Sequence, residues 1–266
     1  MEKEELEFDW VKEEIKEYWD RAKEHAFFKD SEEEAVWKKS LNEEFGAGKL
    51  KILDIGTGNG SLALLLAEMG HDVVGIDISK EMLSVARKKA EERGVNPDLG
   101  IGDAESLEFK DESFDAVVSR IVLWTLPHPE KAISEWKRVL KAGGKVYTFE
   151  FDSSGKRKGA VGAIKKNLGL LLITIIEREN AWMMEHYSRD VNEKLPLYYE
   201  KDTSNAINKV ELFRKGGFDD VLIFELEEVS EVARKKQEEF PLRHKLALGY
   251  LGDYVWYYIR GCKPSK

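Results

Sequence analysis

A glycine-rich turn preceded by an acidic residue is the part of this sequence best suited to bind a ligand. It reads Asp54-Ile-Gly56-Thr-Gly58-Asn-Gly60, between an apolar run typical of a buried strand and an apolar run typical of a helix. Three glycines allow a tight turn and bring backbone N–H groups close to a ligand. The start of the following helix favours a negatively charged group. The sequence therefore predicts a small-molecule site at this turn.

The spacing of the glycines distinguishes two classes of ligand. Dinucleotide-binding enzymes carry G-x-G-x-x-G, with a third glycine that serves helix packing beside a pyrophosphate. Here the pattern is G-x-G-x-G, and Asp54 stands two positions before the first glycine. A carboxylate is poorly suited to a pyrophosphate but can help to hold an α-ammonium group, which S-adenosylmethionine (SAM) carries. The spacing thus favours SAM over NAD(P).

Two later segments hold further acidic residues at the ends of expected strands. Asp77 lies 17 residues after Gly60, and its two acceptor oxygens suit two adjacent hydroxyl groups. Gly102-Asp103-Ala104-Glu105 follows a third, weaker strand pattern. In parallel sheets such strand ends meet at one edge, where ligands bind. These segments are therefore expected to form one site with the glycine turn.

In register, these motifs resemble the class I SAM-dependent methyltransferases, tightly over residues 51–151 and loosely outside them. The resemblance implies that Asp77 binds both ribose hydroxyls, that apolar side chains pack on adenine, and that Asp103 accepts a bond from its exocyclic amine. SAM is the implied cofactor and S-adenosylhomocysteine (SAH) its product. The implied cofactor residues are Asp54, Gly56, Thr57, Gly58, Gly60, Asp77, Ile78, Met82, Asp103, Ala104, Ser119 and Tyr18.

Within that family, the pattern is most similar to small-molecule enzymes related to ubiquinone/menaquinone C-methyltransferases. After the fourth strand that subgroup often has two histidines before Leu-Pro, whereas this chain reads Leu123-Trp124-Thr125-Leu126-Pro127. The subgroup's substrate is therefore not transferred to this chain. The methyl acceptor, and whether a nitrogen, oxygen, sulfur or carbon atom is methylated, are left open.

The hydrophobic pattern predicts an α/β fold. Short apolar strands alternate with helical segments over residues 51–151, and such alternation implies crossovers in a parallel sheet. The resemblance implies a doubly wound, mostly parallel seven-stranded sheet with an antiparallel final strand, the Rossmann-like methyltransferase fold. We interpret residues 1–266 as one methyltransferase domain. Its parts are a helical cap (1–48), a SAM-binding core (49–151), a helical lid insertion after strand five (152–208) and the rest of the sheet (209–266).

Candidate acceptor residues lie after the fourth strand and in the insertion. Arg120 is expected either to bind an acidic acceptor or to pair with a surface carboxylate, and His128 is either a general base or a solvated loop residue. These two are the candidates for catalysis. The apolar insertion is expected to cover the methyl group. The proposed acceptor-binding residues are Arg120, Trp124, Trp182, His186, Tyr187, Tyr198 and Tyr199.

Composition limits the partners. A net charge of −9 disfavours nucleic acid, and a longest apolar run of nine residues cannot span a bilayer. The histidines lack metal-ligand spacing, so no metal is expected, and the lone Cys262 fits a reducing, cytoplasmic location. Abundant Lys and Glu with one Gln hint at a thermophilic source. The alternatives are an NAD(P)-dependent oxidoreductase and a non-catalytic SAM-binding module; the oligomeric state is left open.

Overall fold

The computed structural model describes residues 2–22, 31–46, 48–152, 168, 171–172, 175, 187–197, 205–238 and 255–265. Within these ranges, strands and helices alternate over residues 51–151, as the hydrophobic pattern predicts, except between the third and fourth strands, which no helix separates. The strands are β1 (Lys51–Ile55), β2 (Asp72–Asp77), β3 (Asp98–Ile101), β4 (Phe114–Arg120), β5 (Leu140–Asp152), β6 (Asp219–Glu225) and β7 (Val255–Cys262). The helices are α1 (Glu2–Arg21), α2 (Ser31–Phe45), α3 (Ser61–Glu68), α4 (Lys80–Arg93), α5 (Pro129–Val139), α6 (Arg189–Lys194), α7 (Ala206–Lys215) and α8 (Glu227–Glu238), with a short 3-10 turn at Leu123–Thr125.

The seven strands form one sheet in the order β3-β2-β1-β4-β5-β7-β6. Pairs from β3 to β5 are parallel, and β7 runs antiparallel between β5 and β6. This confirms the expected mostly parallel, seven-stranded fold. Ile55 at the end of β1 lies beside Ile76 of β2 and Ser119 of β4. The loops that follow these three strands therefore leave the sheet at the same edge.

Helices cover both faces of the sheet, so the central strands are apolar on both sides. Val117 of β4 belongs to the cluster formed with α5 and α7, which also buries Trp136 and Phe213. The adjacent Val118 points to the opposite face, where α2 and α3 pack and Trp37 is fully buried. Since successive strand residues alternate between faces, a central strand such as β4 contributes to both layers. This packing fixes the strand ends from which the site is built.

A third cluster joins α1 to the segment around α6. Val11 and Ile15 of α1 pack with Trp124, Tyr187 and Val191. The apolar residues of α1 recur every three or four positions, which puts them on one helical face. The N-terminal cap and the described end of the insertion therefore share one small core, beside the edge of the sheet where β1, β2 and β4 end.

Two boundaries differ from the sequence prediction. The Gly143-Gly144 pair in the sequence predicts a turn that leads into a strand beginning at Lys145, whereas β5 begins at Leu140 and runs through both glycines. A register shift in the β4–β5 pairing accommodates the additional residues. The segment expected as an insertion over 152–208 also overlaps its neighbours, since β5 ends at Asp152 and α7 begins at Ala206. Asn205 caps α7 by accepting a hydrogen bond from the Asn208 backbone N–H.

Candidate functional site

A cavity lies at the carboxyl edge of the sheet, beneath α1. It holds about 720 Å³ of space unoccupied by atoms, part of it open to solvent. α1 contributes Lys12, Ile15 and Trp19 to its lining, and the last residue of β4 with the chain that follows it contributes residues 120–122 and 125–127. The predicted cofactor residues among those lining the cavity are Gly56, Gly58, Asp77, Ile78, Met82, Asp103 and Ala104. Three motifs that are distant in sequence are therefore brought to one cavity.

The glycine turn adopts a backbone that requires glycine. Gly56, Gly58 and Gly60 all have positive φ angles, of 66°, 56° and 83°. A Cβ added at Gly56 would overlap a methyl group of Val122, which also lines the cavity. The Thr57 backbone N–H donates to the carbonyl oxygen of Ile76 at 2.9 Å, which ties the turn to β2. The turn is thus held rigidly against the neighbouring strand.

Asp77 at the end of β2 braces the site. Its Oδ2 accepts a hydrogen bond from the Gly58 backbone N–H and its Oδ1 accepts one from the Ser79 backbone N–H, both at 2.8 Å. Burial raises the pKa of Asp77 to about 6, although both of these bonds favour the ionised form. An ionised carboxylate has about four acceptor positions, so backbone bonds do not exhaust its capacity to accept from a ligand. The carboxylate is therefore fixed in place with acceptor capacity at the cavity.

Asp54 is adjacent to the site but lies behind its lining. Its Oδ2 accepts a hydrogen bond from Thr57 Oγ1 at 2.7 Å, and its side chain is buried beneath the turn. Burial raises the pKa of Asp54 to about 7, more than the Thr57 bond lowers it. The geometry shows a brace for the glycine turn. A direct contact with an α-ammonium group, as expected from the sequence, stays a prediction.

Lys12 on α1 was not identified by sequence reasoning. Its Nζ lies 2.6 Å from Asp103 Oδ2 and 2.7 Å from Glu105 Oε2, so one ammonium bridges two carboxylates. Glu105 is fully buried, and its Oε1 also accepts a hydrogen bond from the His128 backbone N–H at 2.6 Å. Asp103 Oδ1 accepts a bond from the Glu105 backbone N–H. Since Lys12 is 91 residues distant from Asp103, no local pattern could indicate this pair.

We expect Lys12→Met to lower the free energy of unfolding by about 1–2 kcal/mol, because it leaves the buried Glu105 without its cation. The full cost of a broken buried pair does not apply, since Lys12 itself is partly solvated. Lys16→Met is the matched control, because Lys16 is on the same helix and pairs with Glu13 near the surface. Urea unfolding measures both variants. Equal changes within 0.5 kcal/mol, roughly the range for surface substitutions, would contradict this role for Lys12.

Arg120 is buried against two tryptophans at the end of β4. Its guanidinium carbon lies 4.7 Å from the ring centre of Trp37 and 5.0 Å from that of Trp256. Burial lowers the pKa of Arg120 to about 10, and the nearby charges of Glu33 and Asp54 raise it. Arg120 is 8% exposed. It lines the cavity, and the two expectations from the sequence, binding of an acidic acceptor and pairing with a surface carboxylate, stay predictions.

Four of the other predicted residues are described by the structure and are not part of the cavity lining: Tyr18, Ser119, Trp124 and Tyr187. Trp124 and Tyr187 pack against each other with ring centres 5.5 Å apart, and Tyr18 makes an edge contact with Tyr187. Trp19, which does line the cavity, donates from Nε1 to the Tyr187 hydroxyl at 3.0 Å. Ser119 is buried and donates to Thr148 Oγ1. The remaining candidates Trp182, His186, Tyr198 and Tyr199 lie outside the described residues.

His128 caps the N-terminus of α5 and is partly exposed. Its backbone N–H donates to Glu105 Oε1. Leu126 and Pro127 line the cavity, whereas His128 does not. A role as general base therefore stays a prediction.

Among the described residues, no helix has the length and apolar character needed to cross a membrane. The same residues contain no cluster of three or more His, Cys, Asp or Glu that could hold a metal ion.

The sheet order is that of a doubly wound α/β domain. The glycine turn after β1 and Asp77 at the end of β2 form the kind of site at which such domains bind ligands. Residues 53–148 match the family described as a methyltransferase domain. This part of the chain is therefore a methyltransferase domain, and the resemblance to SAM-dependent methyltransferases is confirmed there.

Two curated relatives each match somewhat less than half of the chain. Phosphatidylethanolamine N-methyltransferase from Cereibacter sphaeroides is 40% identical over 120 residues, which is 44% of this chain and 58% of the relative. Demethylmenaquinone methyltransferase from Thermus thermophilus is 42% identical over 116 residues, which is 43% of this chain and 52% of the relative. The chain thus spans little more than half the length of these relatives.

The whole fold has counterparts among solved structures. A phosphoethanolamine N-methyltransferase from Haemonchus contortus, solved with phosphomonomethylethanolamine and S-adenosylhomocysteine, superposes with a TM-score of 0.59. The alignment covers 86% of this chain and 52% of that protein at 24% identity. At this identity the likeness establishes the Rossmann-like methyltransferase fold alone.

Proposed function

We propose that this protein is a SAM-dependent methyltransferase that acts on a small-molecule acceptor. The observation that carries the proposal is the single cavity in which the glycine turn, Asp77 and the segment Gly102–Glu105 meet. Neither a plain turn nor a dinucleotide site explains the combination of G-x-G-x-G spacing with an acid on each of the next two strand ends.

The residues that line the cavity suit SAM in their chemistry and charge. Asp77 lines the cavity and offers carboxylate acceptor capacity to the ribose hydroxyls, beside the backbone N–H groups that hold it in place. Ile78 and Met82 supply an apolar surface for adenine, and Asp103 and Ala104 face its polar edge. The carboxylates of Asp77, Asp103 and Glu105 outnumber the cations in this lining, which suits a cationic ligand.

SAM supplies an electrophilic methyl group on a sulfonium, so the chain's own task is to bind, orient and exclude water. The rigid glycine turn and Asp77 fix the nucleoside. Ile15 and Trp19 of α1 close one side of the cavity, while Ile121 and Val122 close another. A proton acceptor is needed only where the methylated atom must lose a proton.

The acceptor approaches from the side formed by α1, the chain after β4 and the segment around α6. The neighbouring cluster of Tyr18, Trp19, Trp124 and Tyr187 is aromatic, which favours an acceptor with an apolar portion. Relatives named as demethylmenaquinone and phosphatidylethanolamine methyltransferases support this acceptor class.

The lone cysteine supports a cytoplasmic location. The abundance of Lys and Glu supports a thermophilic source organism.

Calorimetry tests the cofactor. We expect SAM and SAH to bind with micromolar dissociation constants, and NAD and NADP to show no heat of binding under the same conditions. Binding of NAD or NADP without SAH would overturn the proposal in favour of an oxidoreductase.

Turnover tests the activity. Formation of SAH is followed with a short-chain demethylmenaquinone analogue, dispersed phosphatidylethanolamine, phosphoethanolamine and a deproteinised small-molecule extract as acceptors. SAH formed above the acceptor-free rate supports a methyltransferase. Tight SAH binding with no turnover on any of these acceptors would contradict the activity and favour the non-catalytic SAM-binding module.

A further inference from the structure

The chain between β5 and α6 exposes large apolar side chains at positions that the structure describes. Leu168, Leu171, Leu172 and Ile175 have helical backbone. Leu168 and Leu171 are each 47% exposed, and Ile175 is 65% exposed. Spacings of three and four residues place side chains on one side of a helix. We call Leu168, Leu171 and Ile175 the apolar face; such a group in contact with water marks a surface that meets another partner.

The sequence around the apolar face is basic, although the protein is acidic. The chain has a net charge of −9, yet residues 153–176 contain no Asp or Glu. The same stretch holds five cations, which lie outside the described residues: Lys156, Arg157, Lys158, Lys165 and Lys166. Clusters of Lys and Arg beside an amphipathic helix are typical of segments that bind anionic lipid headgroups.

This combination of charge and apolar surface fits a lipid bilayer better than a second copy of the chain. A closed dimer uses the same patch on both subunits, so it would bring two basic clusters together. Nucleic acid would match the cations but offers no apolar surface for three aliphatic side chains. An anionic bilayer supplies headgroup phosphates for the cations and acyl chains for the aliphatic groups.

The described ends of this part of the chain lie beside the cavity. Phe149 of β5 pairs with Arg120, which lines the cavity, and β5 ends three residues later at Asp152. At the other end, the Tyr187 hydroxyl accepts a hydrogen bond from Trp19, which also lines the cavity. The chain therefore leaves and re-enters the described structure at the edge of the sheet that holds the cavity.

We propose that the apolar face docks on an anionic membrane surface. Its aliphatic side chains enter the boundary between headgroups and acyl chains, while the neighbouring cations contact headgroup phosphates. The acidic remainder of the chain is repelled by the same headgroups, which orients the protein on the bilayer. The attachment is peripheral, because the apolar run of residues 168–176 is too short to span a bilayer.

Co-sedimentation of the full chain with lipid vesicles tests the docking. One set of vesicles contains phosphatidylcholine and phosphatidylglycerol in equal parts, and the other contains phosphatidylcholine alone. The protein should bind the anionic vesicles at least roughly tenfold more tightly than the neutral ones. Added salt should weaken the binding to anionic vesicles, because it screens the attraction between the cations and the headgroups.

Two isoleucines of similar exposure separate the apolar contribution from a general loss of surface hydrophobicity. Ile175 is 65% exposed, and Ile207 at the start of α7 is 73% exposed. Ile175→Ser should weaken binding to anionic vesicles roughly 5- to 30-fold, since a large aliphatic side chain no longer enters the bilayer. Ile207→Ser is the matched control and should bind within about twofold of the wild type.

Neutralising two adjacent cations tests the electrostatic contribution. Lys165→Gln/Lys166→Gln should weaken binding to anionic vesicles roughly 10- to 30-fold, and binding to neutral vesicles should not change. Arg214→Gln/Lys215→Gln is the control, because these neighbouring cations are exposed at the end of α7. Should Ile175→Ser fail to fold, the lysine variant still tests the proposal, since it keeps the aliphatic side chains.

Several results would overturn the docking surface. Equal binding to both kinds of vesicle would do so, as would equal losses in Ile175→Ser and Ile207→Ser. Self-association without lipid that Ile175→Ser abolishes in analytical ultracentrifugation would show that a second copy covers the apolar face. If SAH binds by calorimetry but no vesicle does, the docking is wrong and the proposed function stands. If vesicles bind but SAH does not, the proposed function is wrong and the docking stands.

Discussion

Replacing Asp77 with Ala is expected to weaken SAH binding roughly 10- to 150-fold, which corresponds to about 1.5–3 kcal/mol. Two ribose hydroxyls lose their charged acceptor. The Gly58 and Ser79 backbone N–H groups also lose the carboxylate that braces them at 2.8 Å. Calorimetry at pH 7.5 measures the change. Asp72→Ala is the matched control, because Asp72 is exposed at the opposite end of the same strand.

The pH dependence separates the ligand-binding role of Asp77 from its structural one. Its pKa is raised to about 6 by burial, so the carboxyl is largely protonated at pH 5 and ionised at pH 7.5. SAH affinity of the wild type should therefore rise between these pH values and level off above them. Asp77→Asn should bind weakly and lack the part of this rise that titrates near pH 6. Since Asp54 titrates near pH 7, Asp54→Asn identifies its share.

Stability should change in the opposite direction. An acid whose pKa is higher in the folded state than in the unfolded chain binds more protons when folded. The free energy of unfolding therefore falls as pH rises from about 4 to about 7 through Asp77 and Asp54. Affinity that rises while stability falls cannot come from tighter folding alone. Unchanged SAH affinity in Asp77→Ala would contradict the assignment of Asp77 to the ribose. Equal losses of SAH affinity in Asp77→Ala and Asp72→Ala would contradict it as well.

The parts of the fold and site that the sequence could predict are those encoded locally. The strand that contains Asp54, the glycine turn and the cap of α4 at Ser79 each depend on neighbouring residues, and the structure has all three. Strand ends in a parallel sheet meet at one edge, so Asp77 and Asp103 could be assigned to one site without knowledge of the packing.

Features that depend on tertiary packing could not be predicted from the sequence. Lys12 reaches Asp103 from an N-terminal helix whose docking no local pattern encodes. Arg120 is buried against Trp37 and Trp256, which are distant from it in the sequence. The sequence around Arg120 alone was therefore equally compatible with a position at the surface. Asp54 shows the opposite case, since its position in the motif was clear but its side chain points to Thr57 behind the lining.

The other large effect is expected from a single methyl group at Gly56. Gly56→Ala should lower the free energy of unfolding by about 2–4 kcal/mol and weaken SAH binding more than tenfold. Two costs add here. A side chain at a positive φ costs roughly 1–2 kcal/mol, and the new Cβ overlaps a methyl group of Val122, so the turn or the chain after β4 must shift. Because both segments line the cavity, the shift reaches the ligand.

Gly94→Ala isolates the second cost. Gly94 ends α4 with the same φ of 66°, but an added Cβ there meets nothing within 4 Å. It should therefore lose only the roughly 1–2 kcal/mol due to the backbone and bind SAH within about twofold of the wild type. Urea unfolding and calorimetry on the two variants give the comparison directly. Equal destabilisation of the two variants would mean that Val122 moves aside at no cost in stability. Unchanged SAH affinity in Gly56→Ala would mean that the turn does not approach the cofactor as closely as the G-x-G-x-G pattern requires.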